Sequence, residues 1–142
     1  MRPLKQLIET KQALVSVGPE DTVFTALTLL AQFDIGALPV LEGGKLVGIF
    51  SERDYARKII LMGKASKDTL VREIMSDKVS CVTLDQTVEE CMALMTDKHI
   101  RHLPVLGVNR EMLGILSIGD LVKETISHQK FTIEQLVSYI QN

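Results

Sequence analysis

Apolar side chains recur along this chain in two rhythms. Positions 23, 26, 27 and 30 are apolar at the spacing of one helix face, and so are 88, 91, 92 and 95. Thr87 followed by Glu90 makes a capping box that marks the start of the second of these helices. After each helix come two short apolar runs around a turn, 38–41 with 46–50 and 103–106 with 112–116. The turns, Glu42 to Lys45 and Gly107 to Glu111, carry glycine, and runs so arranged predict hairpins. Pro39 and Pro104 do not suit a helix interior and fit extended segments. Closing helices then open at Asp54 and Asp120. Segments 3–9 and 70–75 read as short lead-in helices, one before each unit. The tail from Thr132 to Ile140 is apolar at 133, 136, 137 and 140. It reads as an amphipathic helix docked on its own domain, with a second subunit as the alternative support.

These elements are one unit written twice. Val17 to Val23 aligns with Val82 to Val88 at an offset of 65 residues. The offset holds through Leu38-Pro39-Val40-Leu41 and Leu103-Pro104-Val105-Leu106. One residue is then inserted in the turn. At an offset of 66, Gly48-Ile49-Phe50-Ser51 matches Gly114-Ile115-Leu116-Ser117, and Asp54 matches Asp120. A single insertion confined to a turn marks an internal repeat. Each unit reads strand, helix, strand, strand, helix, and alone it would leave one sheet face bare. Two copies can bury those faces against each other about a pseudo-twofold axis. The expected fold is mixed α/β (α+β): two β-α-β-β-α repeats packed as one pair. The first repeat is assigned to 1–62, a linker to 63–69, the second repeat to 70–128 and a C-terminal helix to 129–142.

Composition narrows the function classes. The 142 residues are 46% hydrophobic and 24% charged, the balance of a globular protein. A formal net charge of −2 leaves no basic footprint for nucleic acid. No apolar run approaches the roughly 20 residues that cross a bilayer, and no secretory signal follows Arg2 and Lys5. Cys81 and Cys91 lack C-x-x-C spacing and form no disulfide framework, so a cytoplasmic protein is expected. Both cysteines read as small core residues rather than nucleophiles. His99-x-x-His102 has no Cys or carboxylate at metal-ligand spacing, so no metal is expected. Neither a P-loop nor a G-x-G-x-x-G is present, and no repeated residue is an evident general base; an enzyme is not expected.

The polar positions shared by the two units carry the candidate chemistry. Each has Gly-x-x-Ser-x-x-Asp where a strand runs into a helix: Gly48, Ser51 and Asp54, then Gly114, Ser117 and Asp120. A helix N-terminus offers unpaired N–H groups to a phosphate, and the Ser hydroxyl can donate to the same group. A carboxylate three residues on can accept both hydroxyls of a ribose. The same residues also suit helix capping, and both uses remain open at this level.

The repeat, its Leu-Pro-Val strand and its Gly-x-x-Ser-x-x-Asp ending resemble CBS (cystathionine β-synthase) domains over residues 15–60 and 80–126. The resemblance implies a disc-like pair with two clefts for adenosine derivatives: AMP, ADP, ATP, NAD(H) or S-adenosylmethionine. It assigns the ribose to Asp54 and Asp120, and the phosphate approach to Ser51 and Ser117. It seats adenine by Ser16 and Val17, by Cys81, Val82 and Thr83, and by Ile35 and Ile100. Arg101 and His102 precede Pro104 where the family commonly holds phosphate, while the first unit has Gly36 and Ala37 there. Arg53 stands beside Asp54 where the second unit has Gly119. The Asp54 cleft is therefore expected to meet Arg101 and His102 and to grip phosphate better than the Asp120 cleft. The implied function is a non-catalytic regulatory module that binds adenine nucleotides, forms a homodimer and acts on a protein effector. The alternative is a structural homodimerisation module with vestigial clefts.

Overall fold

The computed structural model describes residues 1–11 and 13–141. Two repeats of like architecture are present. In the first, helix α2 (Val23–Phe33) is followed by strands β1 (Ala37–Glu42) and β2 (Lys45–Ser51). A turn of helix, α3 (Glu52–Asp54), then runs on as π-helix over Tyr55–Ile60. In the second, β3 (Val82–Thr83) leads to α5 (Val88–Lys98), β4 (His102–Leu106), β5 (Met112–Ser117) and α6 (Ile118–Gln141). Short helices α1 (Leu4–Glu9) and α4 (Val71–Ile74) precede the repeats.

Both hairpins are antiparallel, and both slip register at the same place, between Val40 and Leu41 and between Val105 and Leu106. The first closes on Gly43 and Gly44 with φ of 59° and 79°, the backbone that a two-residue turn demands and glycine adopts freely. The opening strands are shorter than their apolar pattern suggests. Val82–Thr83 pairs parallel to β4, whereas in the first repeat a single parallel bridge joins Val17 to Val40. Helices α2 and α5 are capped by Thr22 and Thr87, whose side chains accept from Thr25 N and Glu90 N; at Thr87 the capping box is complete.

The lead-in helices do not pack on the repeats they precede. Leu4 and Leu7 of α1 lie in the core of the second repeat, with Val88, Cys91, Leu103 and Leu116. Val71 and Ile74 of α4 lie in the core of the first, with Val23, Leu38 and Phe50. Backbone bonds fix the second crossing: Val23 N donates to Thr69 O at 2.8 Å, and Val71 N to Asp21 O at 2.8 Å. The first is fixed from the N-terminus, where the backbone N and Nε of Arg2 donate to the buried Glu124 at 2.7 and 2.9 Å. The pair thus has two cores rather than one shared core, each finished by a helix from the other end of the fold.

The crossings explain the repeated glycine. A Cβ on Gly48 would lie 2.6 Å from Met75 Sδ and 3.0 Å from Ser76 O, just beyond α4. One on Gly114 would lie 2.9 Å from Ile8 Cγ2 of α1. Strands β2 and β5 are bare at the points where the crossing segments lie on them.

The tail departs from expectation. The segment from 129 onward is not a separate helix docked on its own domain, because α6 runs unbroken from Ile118 to Gln141. Every described residue beyond Thr125 is exposed, including the apolar positions 133, 136, 137 and 140.

Leu4 is 1% exposed, and truncating it empties a filled position in the second core. Leu4→Ala is expected to destabilise the chain by about 2–5 kcal/mol in urea unfolding. Val108→Ala, at a side chain 98% exposed, is expected to stay within about 0.5 kcal/mol of wild type.

Candidate functional site

Two clefts open between the repeats, and each repeat's Ser-x-x-Asp turn lies in one of them. The first, of about 1080 Å³, is lined by Ser51, Arg53 and Asp54 together with Ile100, Arg101 and His102. The expected meeting of Asp54 with the basic residues of the other repeat is therefore present. The second, of about 600 Å³, is lined by Ser117 and Asp120 with Ile35, Gly36 and Ala37. His102 and Gly36 face both clefts, and a Cβ on Gly36 would lie 3.4 Å from His102 Nε2.

The repeated serine and aspartate form reciprocal caps. Ser51 N and Oγ both donate to Asp54 Oδ2 at 3.0 Å, and Asp54 N returns a bond to Ser51 Oγ at 3.1 Å. Ser117 N donates to Asp120 Oδ2 at 2.7 Å, and Asp120 N to Ser117 Oγ at 3.1 Å. Capping thus holds each carboxylate at a cleft wall, and it spends part of the carboxylate's accepting capacity in doing so. What remains is used differently in the two copies. Asp54 Oδ1 accepts from Ser76 Oγ at 3.2 Å and has Lys58 Nζ at 3.6 Å. Asp120 Oδ2 also accepts from Lys11 Nζ at 2.6 Å, and that ammonium donates to Ile115 O at 2.7 Å. Ser76 and Lys11 are equivalents at the 65-residue offset, so one site in two copies carries a hydroxyl in the first and an ammonium in the second.

Charge separates the clefts further. Arg53, Arg57, Lys58, Lys78 and Arg101 line the Asp54 cleft against Glu52 and Asp54. The Asp120 cleft balances Lys11 and Lys123 against Asp34 and Asp120. Arg53 is aimed across the cleft, its Nη1 donating to His99 O at 3.2 Å. Burial lowers the pKa of His102, and the nearby Lys11 and Arg101 lower it further against the opposing pull of Asp120. The ring is thus neutral near pH 7. Burial pushes the Asp120 carboxyl up, but the Lys11 and Ser117 hydrogen bonds outweigh it and hold the carboxyl below its ordinary value.

The opening-strand residues stand elsewhere. Ser16 lines a neighbouring surface hollow with Leu29 and Phe33, and lies outside the lining of both clefts. Val17 and Val82 are buried in the two cores, Cys81 is half-buried, and exposed Thr83 donates from Oγ1 to Asp85. The chain instead reaches the clefts just before these positions, with Lys78, Val79 and Ser80 in the first and Ala13, Leu14 and Val15 in the second. The two triplets are equivalents in the 65-residue register, the signal by which each could have been found from the other. Burial raises both cysteine thiols, for Cys81 against the pull of Arg110 and for Cys91 with the help of Glu90, so they stay protonated. Among the described residues no group of three or more His, Cys, Asp or Glu could hold a metal ion, and no helix is long and apolar enough to cross a membrane.

Paired repeats, swapped lead-in helices and twin clefts walled by Ser-x-x-Asp turns define a tandem-repeat module. The chain belongs to the CBS domain family, whose pattern matches residues 5–61 and 71–127. It is 42% identical over 127 residues to the mitochondrial CBS domain-containing protein CBSX3 of Arabidopsis thaliana, covering 86% of this chain and 61% of that protein's length. A protein with CBS domains from Burkholderia ambifaria shares 44% identity and superposes with a TM-score of 0.85, over 90% of this chain and 96% of that one. The CBS domain pair of protein MJ0100, 23% identical, has the same fold at a TM-score of 0.80 over 90% of this chain and 98% of that one. It was solved with 5-methylthioadenosine and S-adenosyl-L-methionine.

The Lys11–Asp120 pair can be read by titration. The depressed carboxyl contributes stability that is fully present above the ordinary value of 3.8 and is lost as pH falls through the folded value. Lys11→Met is expected to raise the Asp120 midpoint in a carboxyl NMR titration, because burial then acts without its counter-charge.

Proposed function

We propose that this chain is a non-catalytic regulatory module that binds a phosphate-bearing adenine nucleotide, such as AMP, ADP, ATP or NAD(H), in the Asp54 cleft. The observation that carries the reading is the gathering of five cations around a capped helix start whose carboxylate can face a ribose. Ser51 approaches a phosphate, and Arg101 from the opposite repeat and Arg53 from the same repeat neutralise it. Asp54 Oδ1 exchanges Ser76 for a ribose hydroxyl. Ile100 and Val79 offer apolar surface to the adenine. The ligand then joins both repeats, and its preference for one arrangement over another sets the size of the response.

In the Asp120 cleft the balanced charge and the Lys11 contact favour an adenosine ligand without phosphates, S-adenosylmethionine among them, or none. The adenosine compounds bound by MJ0100 support this ligand class. For the second cleft alone, the engaged carboxylate also favours the vestigial reading. We further infer that the module works in the cytoplasm as a homodimer that reports to a protein effector. Its two cysteines are unpaired.

Calorimetry tests the assignment. Wild type is expected to bind AMP or ATP, and Asp54→Asn to lose about ten- to a hundredfold in affinity while its melting temperature shows it folded. Arg101→Ala is expected to weaken ATP binding much more than adenosine binding. Equal weakening of both would remove Arg101 from the phosphate site. If no adenine compound binds wild type, the structural homodimerisation reading replaces this one.

A further inference from the structure

The long closing helix carries a pattern that its own fold leaves unused. Ile126, Ile133 and Ile140 are spaced by seven residues, and so are Val122, Gln129 and Leu136, offset from them by four. These are the a and d positions of a heptad seam sustained from 122 to 140. The five aliphatic members are between 41% and 81% exposed. Gln129 is exposed among them.

Three observations say what covers the seam. First, a helical extension of about 15 residues is marginal in water without tertiary support, and beyond Thr125 every described residue is exposed. Second, the seam lies roughly 130° around the helix from Leu121 and Glu124, the residues that α6 buries against its own body. From Ile126 onward, where every described residue is exposed, a partner helix can approach this face. Third, Gln129 sits within the apolar line, and a buried amide needs a polar partner. A parallel, in-register pairing sets it against Gln129 of the partner subunit, whereas an antiparallel one sets it against an apolar residue such as Ile133. Isoleucine at the a positions with leucine at d favours two strands, and leucine stands at position 136.

We propose that the C-terminal half of α6 is a dimerisation strap that pairs with the same segment of a second copy as a parallel two-stranded coiled coil. This names the surface for the self-association inferred above and does not depend on the nucleotide. At on the order of 100 Å² for each of the five aliphatic side chains, two copies cover roughly 1,000 Å², the size at which specific interfaces begin. The closure is twofold.

Sedimentation of the full chain tests it, together with cysteine cross-linking. Wild type is expected to sediment as a dimer, and the double variant Ile133→Glu with Leu136→Glu as a monomer with an unchanged melting temperature at low concentration. Both positions lie outside the cores, so this variant folds. Under mild oxidation Gln129→Cys is expected to form a covalent dimer, while Ser127→Cys, off the seam, and wild type do not. A double variant that stays dimeric would overturn the strap while leaving self-association in place. A monomeric wild type would overturn both. A dimer that Gln129→Cys fails to link would overturn the parallel register.

Discussion

The structure depends on the exchange of lead-in helices between repeats. Each repeat's sheet is small, and its core closes only when Leu4 and Leu7, or Val71 and Ile74, arrive from the other end of the fold. Burial of such side chains is worth roughly 1.5–3 kcal/mol each, a large share of the net stability of a domain this size. The exchange also builds the site. The segments that leave the crossing helices carry Lys11 and Ser76 onto the two aspartates, and then form one wall of each cleft. Packing and binding geometry therefore rest on the same crossing.

Duplication gives two clefts of one backbone design, and a few substitutions make them chemically unlike. Ser76 against Lys11, Arg101 against Gly36 and Arg53 against Gly119 all place the excess positive charge around Asp54 or neutralise the carboxylate at Asp120. The caps are common to both. A carboxylate that folds the chain into a helix start is held at a fixed place in the wall. His102, neutral and shared by both clefts, is the one imidazole through which the two sites touch.

Much of this was legible before any coordinates. The Leu-Pro-Val strands, the glycine turns and the Thr87–Glu90 cap each have a local physical cause, and each stands where the pattern put it. The facing of Asp54 by Arg101 was legible because the repeat fixes symmetry. Three features were not. Which body a four- or six-residue helix packs on is decided by tertiary fit, and α1 and α4 read as lead-ins to their own repeats. The opening strands looked like the adenine wall at Ser16, Val17 and Cys81 to Thr83, yet Val17 and Val82 point into the cores, and the clefts are reached at 13–15 and 78–80. The tail's apolar stripe was visible, but a stripe does not say whether a helix bends back onto its own body. The unbroken run of α6 shows that it does not.

The crossing also imposes an order on synthesis. As the chain leaves the ribosome, the first repeat can close as soon as α4 emerges, one linker after its own last helix. The α1 helix, made before both repeats, has no groove until β5 and the start of α6 exist. Its leucines must wait until the second repeat is made, so a segment that precedes both repeats is seated after them. No cut between the repeats yields two complete halves.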